Sequence, residues 1–133
     1  MKKILSTLIF SIFILTCLNT KAQNNNTMYR IAKIKVDPTQ LEQYKIALKE
    51  QMNAAITKES GVLSYTVVAD KKDASSITIF EVYANVEAYQ SHIQTPHFKK
   101  YKDTVKDMVL SLELIDTDLV ASPKPVLSVN AIS

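Results

Sequence analysis

Met28 to Val36 reads MYRIAKIKV, and its side chains alternate in character. Arg30, Ala32, Ile34 and Val36 fall on one face; Tyr29, Ile31, Lys33 and Lys35 fall on the other. Period-two patterning of this kind predicts a strand with one clean apolar face. Such a strand commits the chain to a sheet with something packed against one side. Asp37-Pro38 ends the run. Thr39-Gln40-Leu41-Glu42 then has the hydroxyl-to-carboxylate spacing of a capping box, which predicts a helix to about Ser60. Its inner stripe is Leu41, Tyr44, Leu48, Met52 and Ala55. Gly61, the only glycine, follows where a left-handed helix cap belongs.

Val62 to Asp70 predicts a second strand, with Leu63, Tyr65, Val67 and Ala69 sharing a face. A polar turn at residues 71–75 joins it to a third, Ser76 to Tyr83, with Ile77, Ile79, Glu81 and Tyr83 on one face. Two such runs joined by a short turn read as an antiparallel hairpin. Asn85 is placed to cap a second helix, whose inner stripe is Val86, Tyr89, His92 and Ile93. Thr95-Pro96 starts a further helical segment at an angle to it, and Phe98, Tyr101, Val105, Met108 and Val109 continue the apolar stripe. Leu110 to Val120 completes the pattern as a fourth strand. The order β-α-β-β-α-β predicts an α+β, ferredoxin-like fold: an antiparallel sheet with the helices on one face. The other face is partly apolar, so a homodimer of two sheets packed face to face is expected.

The N-terminus is read separately. Lys2 and Lys3 precede an apolar run of about 12 residues, too short for the roughly 20 of a spanning helix. Thr20-Lys21-Ala22 then offers small residues around a cleavage point before Gln23. This is the order of a secretory signal peptide, residues 1–22, and predicts an exported protein, periplasmic or secreted. Cys17 leaves a lipoprotein alternative open. The signal contains Lys2, Lys3 and Lys21 and no acid, so the remaining chain carries 13 basic and 13 acidic residues. That balance gives no electrostatic case for nucleic acid or an anionic membrane as partner. Cys17 is the only cysteine, so the mature chain has no disulfide and no thiolate metal site. The expected organisation is a signal at 1–22, a polar spacer at 23–27, one domain at 28–120 and a proline-containing tail at 121–133.

From Met28 to Val120 the chain resembles the antibiotic-biosynthesis-monooxygenase family of dimeric α/β barrels. The likeness is carried by YRIAKIKVDP, by Gly61-Val62-Leu63-Ser64-Tyr65, by FEVY, and by His92-x-x-Thr95-Pro96-His97-Phe98, in that order. The resemblance implies a dimeric barrel with a pocket between helices and sheet. In several members, including those assigned as quinol monooxygenases, it implies oxygenation of phenolic or anthrone-like substrates without metal or flavin. Many members carry tryptophan two residues after the glutamate of the third strand, where this chain has Tyr83. Haem-degrading relatives use a tryptophan and an asparagine against the porphyrin; this chain has no tryptophan, and Arg30 stands where the asparagine would align.

His92 lies on the inner stripe one turn from Tyr89. A neutral imidazole there suits a base that takes a proton from a phenol, or a stabiliser of the resulting anion; it equally suits a buried structural histidine paired with a carboxylate. Glu81 is an acid on an otherwise apolar strand face, where it orients His92, accepts a substrate hydroxyl, or pairs across the sheet with Arg30 or a lysine. Tyr65 and Tyr83 are candidate donors to a quinone-like oxygen or ordinary sheet aromatics. Tyr89 and Phe98 read as pocket wall and His97 as a rim residue. No metal site is expected, because His92 and His97 are five apart and no carboxylate stands at helical spacing beside them. The sequence therefore predicts a cofactor-independent monooxygenase acting on a small aromatic with O2. A non-catalytic protein for small hydrophobic ligands, or an isomerase using His92 and Glu81, remains open beside it.

Overall fold

The computed structural model describes residues 27–122. The expected signal peptide and most of the tail lie outside them. Four strands, β1 (Met28–Val36), β2 (Val62–Ala69), β3 (Ser76–Tyr83) and β4 (Val109–Thr117), form one antiparallel sheet in the order β2-β3-β1-β4. Three helices, α1 (Leu41–Lys58), α2 (Val86–His92) and α3 (Pro96–Val105), accompany them. This is the ferredoxin-like α+β topology that the sequence predicts. No helix of the described residues is long and apolar enough to cross a membrane.

The alternation in β1 sets the main core. Ala32, Ile34 and Val36 point towards the helices and are buried with Ile77 and Ile79 of β3, Tyr44 and Leu48 of α1, and Val105 of α3. Antiparallel register puts Ala32 opposite Ile79 and Ile34 opposite Ile77, so the apolar side chains form adjacent cross-strand pairs. A second buried cluster joins Ala55, Val62 and Tyr83. The far face of the sheet carries Tyr29 stacked on Phe80, with ring centroids 6.2 Å apart, and the exposed Val68 and Phe80.

The fourth strand runs Val109–Thr117 rather than Leu110 to Val120, so Val109 belongs to the sheet and not to the helical stripe. Local details depart from the sequence reading in four further places. The first turn of α1 is not closed by a Thr39–Glu42 box. Asp37 instead accepts from the Thr39 backbone N–H (2.8 Å) and hydroxyl (2.7 Å) and caps a short 3-10 turn, Pro38–Gln40. A register shift between Val62 and Ser64 turns Val62 inward and leaves Leu63 exposed, so Leu63 does not share a face with Tyr65. Val86 is exposed rather than part of the inner stripe of α2. Finally, Gly61 has no positive φ. Its need for glycine is steric: a Cβ built there would stand 2.6 Å from the Ala88 Cβ of α2. Asn85, by contrast, caps α2 as expected by accepting from the Ala88 N–H, and Thr95 caps α3 by accepting from Phe98.

The close approach at Gly61 sets the distance between α2 and the start of β2. Gly61→Ala should therefore overpack this contact and destabilise the protein by about 1–3 kcal/mol, lowering the melting temperature by several degrees. Combining it with Ala88→Gly should restore most of that loss. Calorimetry of both variants checks this; an unrescued double variant would mean the glycine serves another purpose.

Candidate functional site

Between the helices and β1, β3 and β4 lies a cavity of about 380 Å³. It exists because β4 extends the sheet beyond its helical cover. Leu112 and Leu114 pair in register with the buried Ile34 and Ala32, yet are 45% and 50% exposed. Phe98, Tyr101 and Val105 of α3 form part of the opposing wall. The wall is mainly apolar, with a contiguous polar patch made by Arg30, Gln51, Tyr65, Glu81 and Tyr83.

These polar groups belong to a longer hydrogen-bonded chain. Tyr83 donates its phenol to Glu81 Oε2 (3.0 Å), and the Tyr83 and Tyr65 hydroxyls are 2.8 Å apart. Tyr65 is 2.8 Å from His92 Nε2, which Gln51 Nε2 also approaches at 3.2 Å. His92 Nδ1 lies 2.9 Å from Glu59 Oε1, and His97 Nε2 is 2.5 Å from the same oxygen. The Thr95 hydroxyl donates to the His92 carbonyl at 2.7 Å. Arg30 bonds Asp116 and lies over the Tyr89 ring, 4.2 Å from its centroid.

His92 is completely buried and does not line the cavity. Tyr65, Tyr83 and Phe98, which do, pack on its ring, with centroids 4.9–5.9 Å away. The carboxylate that reaches His92 is Glu59 and not Glu81, which the sequence reading had considered as its orienter. Glu81 faces Arg30 across β1 and β3, but Arg30 makes its ion pair with Asp116. Tyr65, Tyr83, Tyr89 and Phe98 line the cavity. His97 instead lines a second groove, along α1 and α3, together with Glu59, Thr95 and Lys100. The expectation that no carboxylate stands beside the two histidines holds only for local spacing, because Glu59 arrives from the end of α1.

Burial sets the protonation preferences. It holds the Glu81 carboxyl above its ordinary value, against the opposing bond from Tyr83 and the charge of Arg30. It pushes both the Tyr65 and Tyr83 phenols up, so they remain neutral donors. It also lowers His92, with Glu59 opposing that shift. A neutral imidazole, two neutral phenols and a proton-accepting carboxyl can pass or hold a proton at the wall of an apolar cavity.

Gln51, Glu59 and Arg30 were not among the sequence-derived site residues. Gln51 did carry a signal, since it interrupts the inner stripe of α1 between Leu48 and Ala55. Glu59 carried none: it follows the helix and precedes a turn, where acids are ordinary surface residues.

The model of the antibiotic biosynthesis monooxygenases matches residues 27–104. The chain belongs to this family. A Bacteroides thetaiotaomicron structure named for the same family is 47% identical and superposes with a TM-score of 0.71, over 72% of this chain and 91% of that one. A Lactobacillus acidophilus structure named as a monooxygenase is 30% identical with a TM-score of 0.67, covering 68% of this chain and 43% of that one. An uncharacterised Synechocystis protein is 33% identical over 76 residues, 57% of this chain. The match spans about half the length of that curated relative, 51%. A Nitrosomonas europaea structure at 18% identity and a TM-score of 0.68 shares the fold.

A carboxyl raised by burial binds its proton more tightly in the native chain than in the unfolded one. Folding stability should therefore fall as pH rises from the ordinary carboxylate range towards the native value of Glu81, and level off above it. Glu81→Gln removes this contribution. The variant should gain on the wild type across that window, as read by urea midpoints at successive pH values; a difference independent of pH would refute the shift.

Proposed function

We propose that this chain is an exported, homodimeric monooxygenase that oxidises a small aromatic substrate, quinol- or anthrone-like, with O2. The observation that carries the reading is the cavity itself. An apolar chamber of about 380 Å³ holds a flat ring, and Glu81, Tyr65, Tyr83 and Arg30 gather on its wall to bind oxygen functions. Small-molecule sites have this character, mostly apolar with a few convergent polar groups.

The chemistry follows from those groups. Ionised Glu81 takes the acidic proton of the substrate and leaves an electron-rich anion. Tyr83, released from donating to Glu81, turns its hydroxyl to the anion's oxygen, and Arg30 contributes positive charge. The anion passes one electron to O2, and the resulting radical pair combines into a carbon-bound peroxide anion. Glu81 returns the proton, and loss of water leaves a new carbonyl. One oxygen atom ends in the product and one in water, and the substrate supplies all the electrons. His92 acts through Tyr65 as a positioning residue, because it has no face on the cavity.

Membership of a monooxygenase family and the structural likeness at 47% identity support this reading. The predicted signal peptide supports export. The apolar far face of the sheet, with Tyr29, Val68 and Phe80, supports a second copy packed on it.

Oxygen uptake with a panel of hydroquinones and anthrones tests the activity. The wild type should consume O2 and form no product under nitrogen. Glu81→Gln should lose about 10²–10⁴-fold in kcat, the usual worth of a general base. The wild-type rate should rise with pH along a limb displaced above the ordinary carboxylate range, because the base works only when ionised. No uptake with any compound, but saturable thermal stabilisation by them, would establish a ligand-binding protein instead.

The dimer has its own measurement. Sedimentation should give twice the mass of the mature chain, and Phe80→Glu should convert it to monomers without unfolding, since that ring lies on the sheet's far face. A monomeric wild type ends this part of the reading.

A further inference from the structure

The outer end of the hydrogen-bonded chain has a composition that the cavity chemistry does not use. Glu59 Oε1, His92 Nδ1 and His97 Nε2 come from the end of α1, the end of α2 and the start of α3, and lie within 4.8 Å of one another. Side-chain exposure is 0% for His92, 12% for Glu59 and 16% for His97, so the cluster is built into the protein but opens on the second groove.

The two rings converge on a single carboxylate oxygen. His92 Nδ1 lies 2.9 Å and His97 Nε2 2.5 Å from Glu59 Oε1. The other ring nitrogen of His92, Nε2, is held from behind by the Tyr65 hydroxyl at 2.8 Å and by Gln51 at 3.2 Å, so the imidazole is fixed with Nδ1 turned to the cluster.

We infer that Glu59, His92 and His97 form a binding site for one divalent transition-metal ion of the zinc or ferrous class. Two imidazoles and one carboxylate are the ligand set that such ions take when positions are left open for water. The remaining ring nitrogen of His92 is held by Tyr65, which is the support a metal-bound histidine ordinarily has. Ligand atoms around a tetrahedral ion stand about 3.3 Å apart, from metal–ligand bonds near 2.0–2.1 Å. A modest rotation of the Glu59 side chain away from the two rings provides that spacing. The ion would lie behind Tyr65, outside the cavity, and would hold His92 in the tautomer that donates to Tyr65. It thus goes beyond the proposed oxygenation and does not depend on it: zinc binding without oxygen uptake leaves it standing, and oxygen uptake without zinc binding removes it alone.

The test is titration calorimetry of the chelator-stripped mature chain with ZnCl2 in a non-coordinating buffer. One ion per chain should bind with a dissociation constant in the micromolar range or below, and raise the melting temperature. His97→Ala, at the most exposed ligand, should fold and weaken binding at least tenfold, as should Glu59→Gln. Because either variant could also perturb packing, Co²⁺ provides a second readout: bands of a low-symmetry site with nitrogen and oxygen ligands should appear in the wild type and be lost in both variants. Zinc affinity unchanged in His97→Ala, or no saturable binding in the wild type, would overturn the site.

Discussion

A single imidazole ties the layers of this protein together. His92 is wholly buried, and a buried polar group without partners costs about 1–3 kcal/mol. Both of its nitrogens are matched, one by Glu59 beyond α1 and the other by Tyr65 of β2. It sits at the end of α2, a helix of 7 residues, too short to persist by itself. The bonds at His92 and the contact of Ala88 with Gly61 hold that helix. With α2 anchored, the break at Thr95-Pro96 directs α3 across the sheet, and Phe98 lands on the His92 ring. The cavity wall is therefore a consequence of how one side chain is satisfied.

The cavity also depends on a mismatch between sheet and helices. A four-stranded sheet is wider than the helices laid on it, and the apolar helix-side residues of β4 are left uncovered at Leu112 and Leu114. In a domain of this size such uncovered surface has to be put to use or covered by another chain. Here it becomes one side of a chamber whose polar side carries Glu81, Tyr83, Tyr65 and Gln51. The apolar part offers a ring a place to rest; the Glu81–Tyr83–Tyr65 part offers it a proton acceptor and two donors.

The sequence was most informative where a physical signal is local. Alternation marked β1 and β3 to their exact ends, because each strand has one buried face and a slip by one residue would expose it. The caps at Asn85 and Thr95 were legible for the same reason, since an N-cap acts on a backbone group three residues away. Tyr65, Tyr83, Tyr89 and Phe98 line the cavity from the strand and helix faces that their phase assigns them, while the pocket itself was implied only by the family resemblance. Gly61 was misread because glycine has two uses, conformational freedom and absence of bulk, and only the position of Ala88 distinguishes them. Leu63 was misassigned because a bulge reverses the face of a strand without a mark in its composition. Glu59 was invisible as a partner of His92 because it is 33 residues away and nothing in its surroundings sets it apart.

That last omission bears on how the histidines were judged. On one continuous helix, residues five apart diverge in direction, and the spacing argues correctly against shared ligation. Thr95-Pro96 removes the premise by ending α2 and starting α3 at a new angle, so both rings turn to one carboxylate. The same break that shapes the cavity thus assembles the Glu59 cluster on its far side. Two phenols with one proton each join the two ends. The direction in which they donate must be the same along the whole chain, so the state of Glu81 at the cavity and the tautomer of His92 beside Glu59 are not independent. The tautomer that His92 takes beside Glu59 therefore helps determine which way Tyr65 and Tyr83 point their protons at the cavity wall.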